Sequence, residues 1–396
     1  MRSPMDRNRR RMMPARRGSD MSKTTAQGPA TESIERLGMM QVLADARLSV
    51  EARAMVAQGF YTGVVQEVST VIPLKDGTDP DLGLLRQLLI AGWGEELGQY
   101  LEVLDVRGSS AAEALRKAQL AVRSGTALFA AGSLATGTGW HCLLSIHHGL
   151  ADEHSLEVLA RRLQAAQSAD VGSALAHMRR GRECYDDYVQ AQALHAHAED
   201  GLRTVVAQPM TPVRLRQTGR LAFNAQGPRV SLQRRLDIAT INIDKPPLAT
   251  LLACLRRADV IAEGDTLCSS HDWRPAHQQD AIGMMTGLVP LSFAVPGEQL
   301  LPGQTSLEAR ARRCPAARQA LACCRASELF INGAGRRGIP ASQVMSATFP
   351  VGIEIRRIGA SQLLLEIEGP FCDASAATHL LNELADVLMD RSEWND

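Results

Sequence analysis

The chain is 396 residues long, with 45% hydrophobic residues, 22% charged residues and a formal net charge of zero. That composition can bury a sizeable core, and the length suggests about two to three domains. A balanced charge argues against nucleic acid as the main partner, and apolar runs broken well short of about eighteen residues predict no membrane span.

In chain order, residues 1–18 hold Arg2, Arg7, Arg9, Arg10, Arg11, Arg16 and Arg17 against Asp6 alone. They lack the apolar region of a secretory signal. This stretch reads as a disordered basic tail or as sequence ahead of an initiator at Met21, with a basic arm for an acidic partner as the functional alternative. Residues 19–31, rich in Ser, Thr, Gly and Ala, read as linker. The apolar pattern then predicts helices at 31–46, 80–91, 111–123, 155–167 and 172–198, and strands at 65–74, 98–106 and 140–147. After the Pro-containing stretch Gln208 to Val213 it predicts strand 228–236, helix 247–258, strands 265–270 and 288–295 and helix 306–324. Strands 344–357 and 361–368 follow, then a helix over 374–389 that Asp373 can cap. Strands and helices mixed in both halves predict an α/β (α+β) fold of two sheet-on-helix layers, each with its own core. The expected division is a tail and linker over 1–30, a first lobe over 31–205 and a second over 206–396.

His147-His148-Gly149-Leu150-Ala151-Asp152 directly follows the apolar run Cys142 to Ile146. A strand therefore delivers two imidazoles and a carboxylate onto one turn. Imidazole titrates near neutrality, so one held at a strand end can take a proton from an attacking amine or hydroxyl. The alternatives are a satisfied turn or part of a metal site. Adjacent residues on a strand point to opposite faces, which places His147 and His148 poorly for chelating one ion. Ser155 is the expected N-cap of the following helix, where Leu156, Leu159 and Leu163 recur at helical spacing.

Eight cysteines, Cys142, Cys184, Cys254, Cys268, Cys314, Cys323, Cys324 and Cys372, form no C-x-x-C pair. They read as reduced thiols of a cytoplasmic protein, the adjacent Cys323 and Cys324 as two helix residues. His271 and His277 flank Arg274 without a further ligand at a familiar spacing, so no metal is expected. Carrier-attachment, adenylating, G-x-S-x-G and G-x-x-x-x-G-K motifs are not found, and no bound cofactor is expected.

The His-His turn resembles the H-H-x-x-x-D-G signature of the nonribosomal peptide synthetase condensation domain family, which has the chloramphenicol acetyltransferase-like fold. The resemblance extends to Val68–Leu74 and the helix after it, to Leu128-Phe129-Ala130-Ala131, and to Tyr185-Asp186-Asp187-Tyr188. It continues in Ile282-Gly283-Met284-Met285-Thr286-Gly287-Leu288-Val289-Pro290-Leu291. These elements cover most of residues 65 to 295. The chain departs from the family at Glu153, where glycine is usual, and at Gly287, where asparagine is usual. It has no clear late His-Gln-Asp-x-Pro-Phe-Glu element, and the opening element near Leu48 to Arg53 is not evident.

The resemblance implies two lobes in a V-shaped pseudo-dimer with a central tunnel, and acyl transfer from a carrier-protein phosphopantetheine thioester to an amine acceptor by a free-standing enzyme. An O-acyltransferase forming esters and an inactive carrier-docking relative are the alternatives. Acyl or peptidyl carrier proteins in trans and a small-molecule or carrier-bound acceptor are the implied partners. His148 is implied as the base and His147 as its support, packed behind the loop or donating to a backbone carbonyl. Asp152 is implied as the structural carboxylate, with Arg274, in Ser270-His271-Asp272-Trp273-Arg274-Pro275, as its partner. Glu153 faces solvent at the helix start or meets a cationic acceptor. Tyr185 and Tyr188 read as packing residues. Met284 and Met285 are placed with Glu153 and Gly287 along the substrate tunnel, since methionine adapts to irregular shapes.

Overall fold

The computed structural model describes residues 38–389 apart from 63–64, 75–78, 196–209, 216–228, 238–251, 293–305, 333–340, 343–348, 359–361 and the single positions 40, 80, 138, 169, 254, 258 and 263. The basic tail, the linker, Met21 and Cys254 lie outside the described residues, as do most of the predicted helix 247–258 and the start of strand 344–357.

After helical residues at 38–39 and 41–45, within the helix expected over 31–46, the first half has helix α1 (Val50–Thr62), strand β1 (Glu67–Pro73), helix α2 (Leu82–Trp93), the short helix α3 (Glu95–Gly98) and strand β2 (Leu101–Val103). Helix α4 (Ala111–Arg123), strands β3 (Phe129–Thr136) and β4 (Gly139–His147), and helices α5 (Glu153–Ser168) and α6 (Val171–His195) complete it. Local chemistry explains several boundaries. Asp81 accepts from the backbone N–H groups of Gly83 and Leu84 to cap α2, and Ser110 with Glu113 forms a capping box on α4. The predicted strand 98–106 shrinks to three residues because Glu95–Gly98 takes a helical turn first. Helix α1 was not expected. Its sequence has no continuous apolar stripe, yet Ser49 caps it, with Oγ accepting from the Ala52 N–H at 3.1 Å. Strand β3, rich in Ala and Gly, was also not anticipated as a strand.

The second half contains β5 (Thr211–Pro212), β6 (Val230–Asp237), β7 (Asp265–Asp272), β8 (Thr286–Ser292), α7 (Leu307–Ala311) and α8 (Pro315–Ala326). It closes with β9 (Leu329–Asn332), β10 (Ala341–Ser342), β11 (Val351–Ile358), β12 (Gln362–Gly369) and α9 (Ala374–Met389). The single helix expected over 306–324 is two helices, broken at Arg312–Cys314. Pro315 opens the second, where its fixed φ and missing N–H cost nothing. Strand β9 was not predicted. Asp373 accepts from the Ser375 N–H at 2.8 Å, as expected of the cap of α9.

Among the described residues the strands form two sheets, ordered β10-β1-β4-β3-β2 and β5-β7-β9-β11-β12-β6, with β8 added beside β7. Helices α2 and α5 bury Leu85, Leu88, Leu159 and Leu163 against Val68, Ile72, Leu144 and Ile146 of the first sheet. Helix α4 covers the opposite face with Ala118 and Val122 against Ala130. In the second sheet α9 sets Leu380, Leu384 and Leu388 against Ile353, Ile355, Leu365 and Ile367. The expected two cores are therefore present. The halves also meet directly, because β10 adds to the edge of β1 with Ser69 opposite Ser342, and α7 packs on α1.

Candidate active site

Strand β4 is hydrogen-bonded on both edges, pairing antiparallel with β1 and β3, so its C-terminal end is a rigid platform. The turn beyond it is fastened at every step. His147 N–H donates to the Leu128 carbonyl (2.8 Å), His148 N–H to that of Gln66 (2.9 Å) and Leu150 N–H to that of His147 (2.8 Å). The Trp93 indole N–H donates to the Leu150 carbonyl at 2.8 Å, and the Trp93 ring rests edge-on against Phe129.

The two imidazoles take opposite tautomers. His148 Nδ1 lies 2.9 Å from the Ala151 carbonyl. A carbonyl only accepts, so Nδ1 carries the proton and Nε2 keeps its lone pair. Nε2 has no partner among the described residues, and the side chain is half-buried. Burial lowers the His148 pKa, outweighing the Ala151 carbonyl and the Asp152 charge that oppose the shift. The ring is thus a neutral base at pH 7.

His147 is 1% exposed, and its Nδ1 accepts from the Gly149 N–H at 3.0 Å. Here the proton sits on Nε2, which has no partner among the described residues. Burial, with His148 beside it, pushes its pKa down to about 4. The ring packs behind the loop, and the expected donation to a backbone carbonyl is corrected to acceptance of a backbone N–H. Gly149 keeps the turn tight, since a Cβ there would lie 2.7 Å from Val56 Cγ2 and 3.2 Å from His147 Nδ1.

Asp152 organises the next layer. Its Oδ1 accepts from the Ser155 N–H (3.0 Å), the Ser155 hydroxyl (2.8 Å) and Arg274 Nη2 (2.7 Å). Its Oδ2 accepts from Arg274 Nη1 (2.8 Å), the Met285 N–H (3.0 Å) and the Thr286 hydroxyl (3.1 Å). The N-cap of α5 is therefore Asp152, and the expectation for Ser155 is corrected, because the carboxylate reaches the free N–H groups of the first turn while Ser155 already lies inside the helix. Arg274 also donates to Asp272 Oδ1 (2.8 Å) and to the carbonyls of Ala281 (3.2 Å) and Gly283 (2.9 Å). Burial alone would favour a neutral guanidine, but Asp152 and Asp272 outweigh it and hold the charge. One buried ion pair thereby ties the His-His turn of the first half to the approach to β8 in the second.

The remaining sequence-named residues fall around this pair. Glu153 opens α5 half-buried, where a carboxylate favours the helix dipole. Met284 is 5% exposed within the first core, and Met285 has no exposed surface and packs against Tyr185 and Tyr188. Both methionine side chains pack in core. Gly287 lies buried on β8, where a Cβ would meet Glu308 Oε2 at 2.7 Å. Sequence reasoning missed the contact that seats α1. Tyr185 is buried as expected, but its hydroxyl also accepts from the Ser49 N–H (2.9 Å), while the Tyr188 hydroxyl and Gln192 Nε2 donate to Glu51. The one available signal was Ser49 followed by helix-forming residues. Among the described residues no group of His, Cys, Asp and Glu is placed to hold a metal ion, and no helix is long and apolar enough to cross a membrane.

No protein-family model and no curated protein sequence matches the chain. Solved structures do. The starter condensation domain of rhizomide synthetase, in complex with C8-CoA, is similar over 87% of this chain and 94% of its own, at 14% identity and a TM-score of 0.57. The EpoB NRPS cyclization-docking bidomain from Sorangium cellulosum matches 87% of this chain and 84% of its own, at 12% identity and a TM-score of 0.54. The X-domain from teicoplanin biosynthesis matches 87% of this chain and 94% of its own, at 13% identity and a TM-score of 0.54. The chain has the condensation-domain fold, as its resemblance implied.

Proposed function

We propose that this chain is a free-standing condensation enzyme that moves an acyl group from the phosphopantetheine thioester of a carrier protein to an amine acceptor in the cytoplasm. The observation that carries the reading is the His148 ring, locked by the Ala151 carbonyl with its Nε2 lone pair unused among the described residues. In this reading residues 31–205 and 206–396 are the two lobes. Acyl or peptidyl carrier proteins dock in trans and deliver their arms toward His148, so that tethering turns an encounter in solution into a local one.

The acceptor nitrogen attacks the thioester carbonyl while His148 Nε2 takes its proton. The C–N bond forms, the C–S bond breaks, and the imidazolium returns the proton to the departing thiolate. His147 and Asp152 touch none of the reacting atoms. They hold the turn, His147 from behind and Asp152 through Arg274. No cofactor of the protein's own enters this scheme.

Incubating the protein with an acyl-loaded carrier protein and a panel of amines and alcohols, then weighing the products, tests the proposal. It expects an amide whose formation needs His148. An ester as the sole product would transfer the same chemistry to a hydroxyl acceptor, and no product with any acceptor would refute it.

A further inference from the structure

One cluster at the junction of the halves has no part in the chemistry above. Glu308 on α7 is 7% exposed; its Oε1 accepts from the Leu288 N–H at 2.8 Å, and its Oε2 is buried without a partner among the described residues. The Trp273 indole N–H beside it is buried and, among the described residues, also unpartnered. Both converge over the bare Cα of Gly287. A Cβ there would lie 2.7 Å from Glu308 Oε2, 2.9 Å from Trp273 Nε1 and 3.2 Å from Glu51 Cγ. Glu51, 3% exposed on α1, is held by the neutral donors Tyr188 and Gln192. Among the described residues neither carboxyl group is in an ion pair. Two buried carboxyl groups facing each other across a junction cannot both ionise without a cation, so one holds a proton until a cation arrives.

The cluster is connected to the turn that carries His148. Val56 of α1 packs on Gly149, next to His148, and Glu51 lies five residues earlier on the same helix, about 7.5 Å along its axis. Thr286, beside Gly287, donates to Asp152 Oδ2. Thr286, Leu288 and Trp273, which surround the cluster, are half-buried.

We propose that Glu308, backed by Glu51 and flanked by the Trp273 indole, is a subsite for an ammonium group on the acceptor, which selects acceptors carrying a second amine. The proposal rests on the acyl-transfer reading and specifies its acceptor. Burial and Glu51 push the Glu308 pKa up to about 8, with Arg325 on α8 opposing weakly. Tyr188 on α6 and Cys268 on β7 are the other titratable groups whose fields it shares. An arriving ammonium would favour the ionised carboxylate and release its proton.

Calorimetry at pH 7 with 1,5-diaminopentane and pentane-1,5-diol, in buffers of different ionisation enthalpy, tests this. The wild-type protein should bind the diamine about tenfold more tightly and release about one proton, and the diol, which carries no ammonium, should release none. In Glu308→Gln both differences should vanish. Equal binding of the two compounds by the wild-type protein, or proton release that persists in Glu308→Gln, overturns the subsite. The wild-type comparison needs no variant to fold. Binding is read without turnover, so the outcomes separate. Diamine binding through Glu308 without acyl transfer would refute the function and keep the subsite, whereas transfer without diamine preference would do the reverse.

Discussion

The guanidinium of Arg274 lies flat against the carboxylate of Asp152, with Nη1 2.8 Å from Oδ2 and Nη2 2.7 Å from Oδ1, across 122 residues of sequence. Both side chains are essentially without solvent contact. A two-point pair of this kind fixes orientation as well as distance.

Removing Asp152 leaves the buried Arg274 charge with only the partly exposed Asp272 carboxylate beside it. Asp152→Ala is therefore expected to cost about 3 to 5 kcal/mol of stability, measured by urea unfolding. Replacing both residues together should cost less than the sum of the single changes, because no orphaned charge remains. If Asp152→Ala unfolds at the wild-type urea concentration, the pair does not hold the halves together.

His147 gives the protein an acid-sensitive core. Its folded-state pKa is about 4 against an ordinary value of 6.5, so between those limits the unfolded chain binds the extra proton. The stability this ring contributes is present above pH 6.5 and drains away as the pH falls toward 4, by about 3 kcal/mol in all. Unfolding free energies at pH 7 and pH 4.5 should show the loss. In His147→Asn, whose side-chain oxygen can accept the same Gly149 N–H, that part of the slope should be missing. An unchanged slope would mean that other groups carry the acid sensitivity.

Gly149 has no room for a methyl group. Gly149→Ala should cost about 1 to 3 kcal/mol by overpacking and should displace the His148 loop. Since Val56 is the nearest neighbour, Val56→Ala in the same chain should recover part of the loss, a coupling visible in a double-mutant cycle. Strict additivity of the two changes would show that Val56 does not press on the loop.

How much of this could be read beforehand depends on how local each signal is. Strand β4 announces itself by an unbroken apolar run, and α4 by a capping box and a regular stripe, so both were readable. Helix α1 was not, because it is held by contacts from distant α6, with Tyr185 and Tyr188 more than 130 residues away supplying hydroxyls to Ser49 and Glu51. Strand β3 was hidden because Ala130, Ala131 and Gly132 have little strand preference and are strands only through their pairing with Ser145, Leu144 and Leu143. Within the site, the His148 turn and the Asp152–Arg274 contact followed from motif resemblance. The cap on α5 was assigned to Ser155 when the carboxylate three residues earlier performs it. Glu308 gave no signal, since a glutamate near the start of a helix reads as a solvated residue until the fold buries it against Glu51.

The central claim is that His148 Nε2 removes the acceptor's proton. The most direct test is the single-turnover rate of amide formation from an acyl-loaded carrier protein, followed against pH for the wild-type protein and for His148→Ala. The wild-type rate should be level around pH 7 and fall only below pH 6.5, because burial lowers the pKa of this imidazole. His148→Ala should be slower by about 10² to 10⁴ and should lose that acid limb. A His148→Ala protein that forms amide at the wild-type rate, with the same pH profile, would contradict the account.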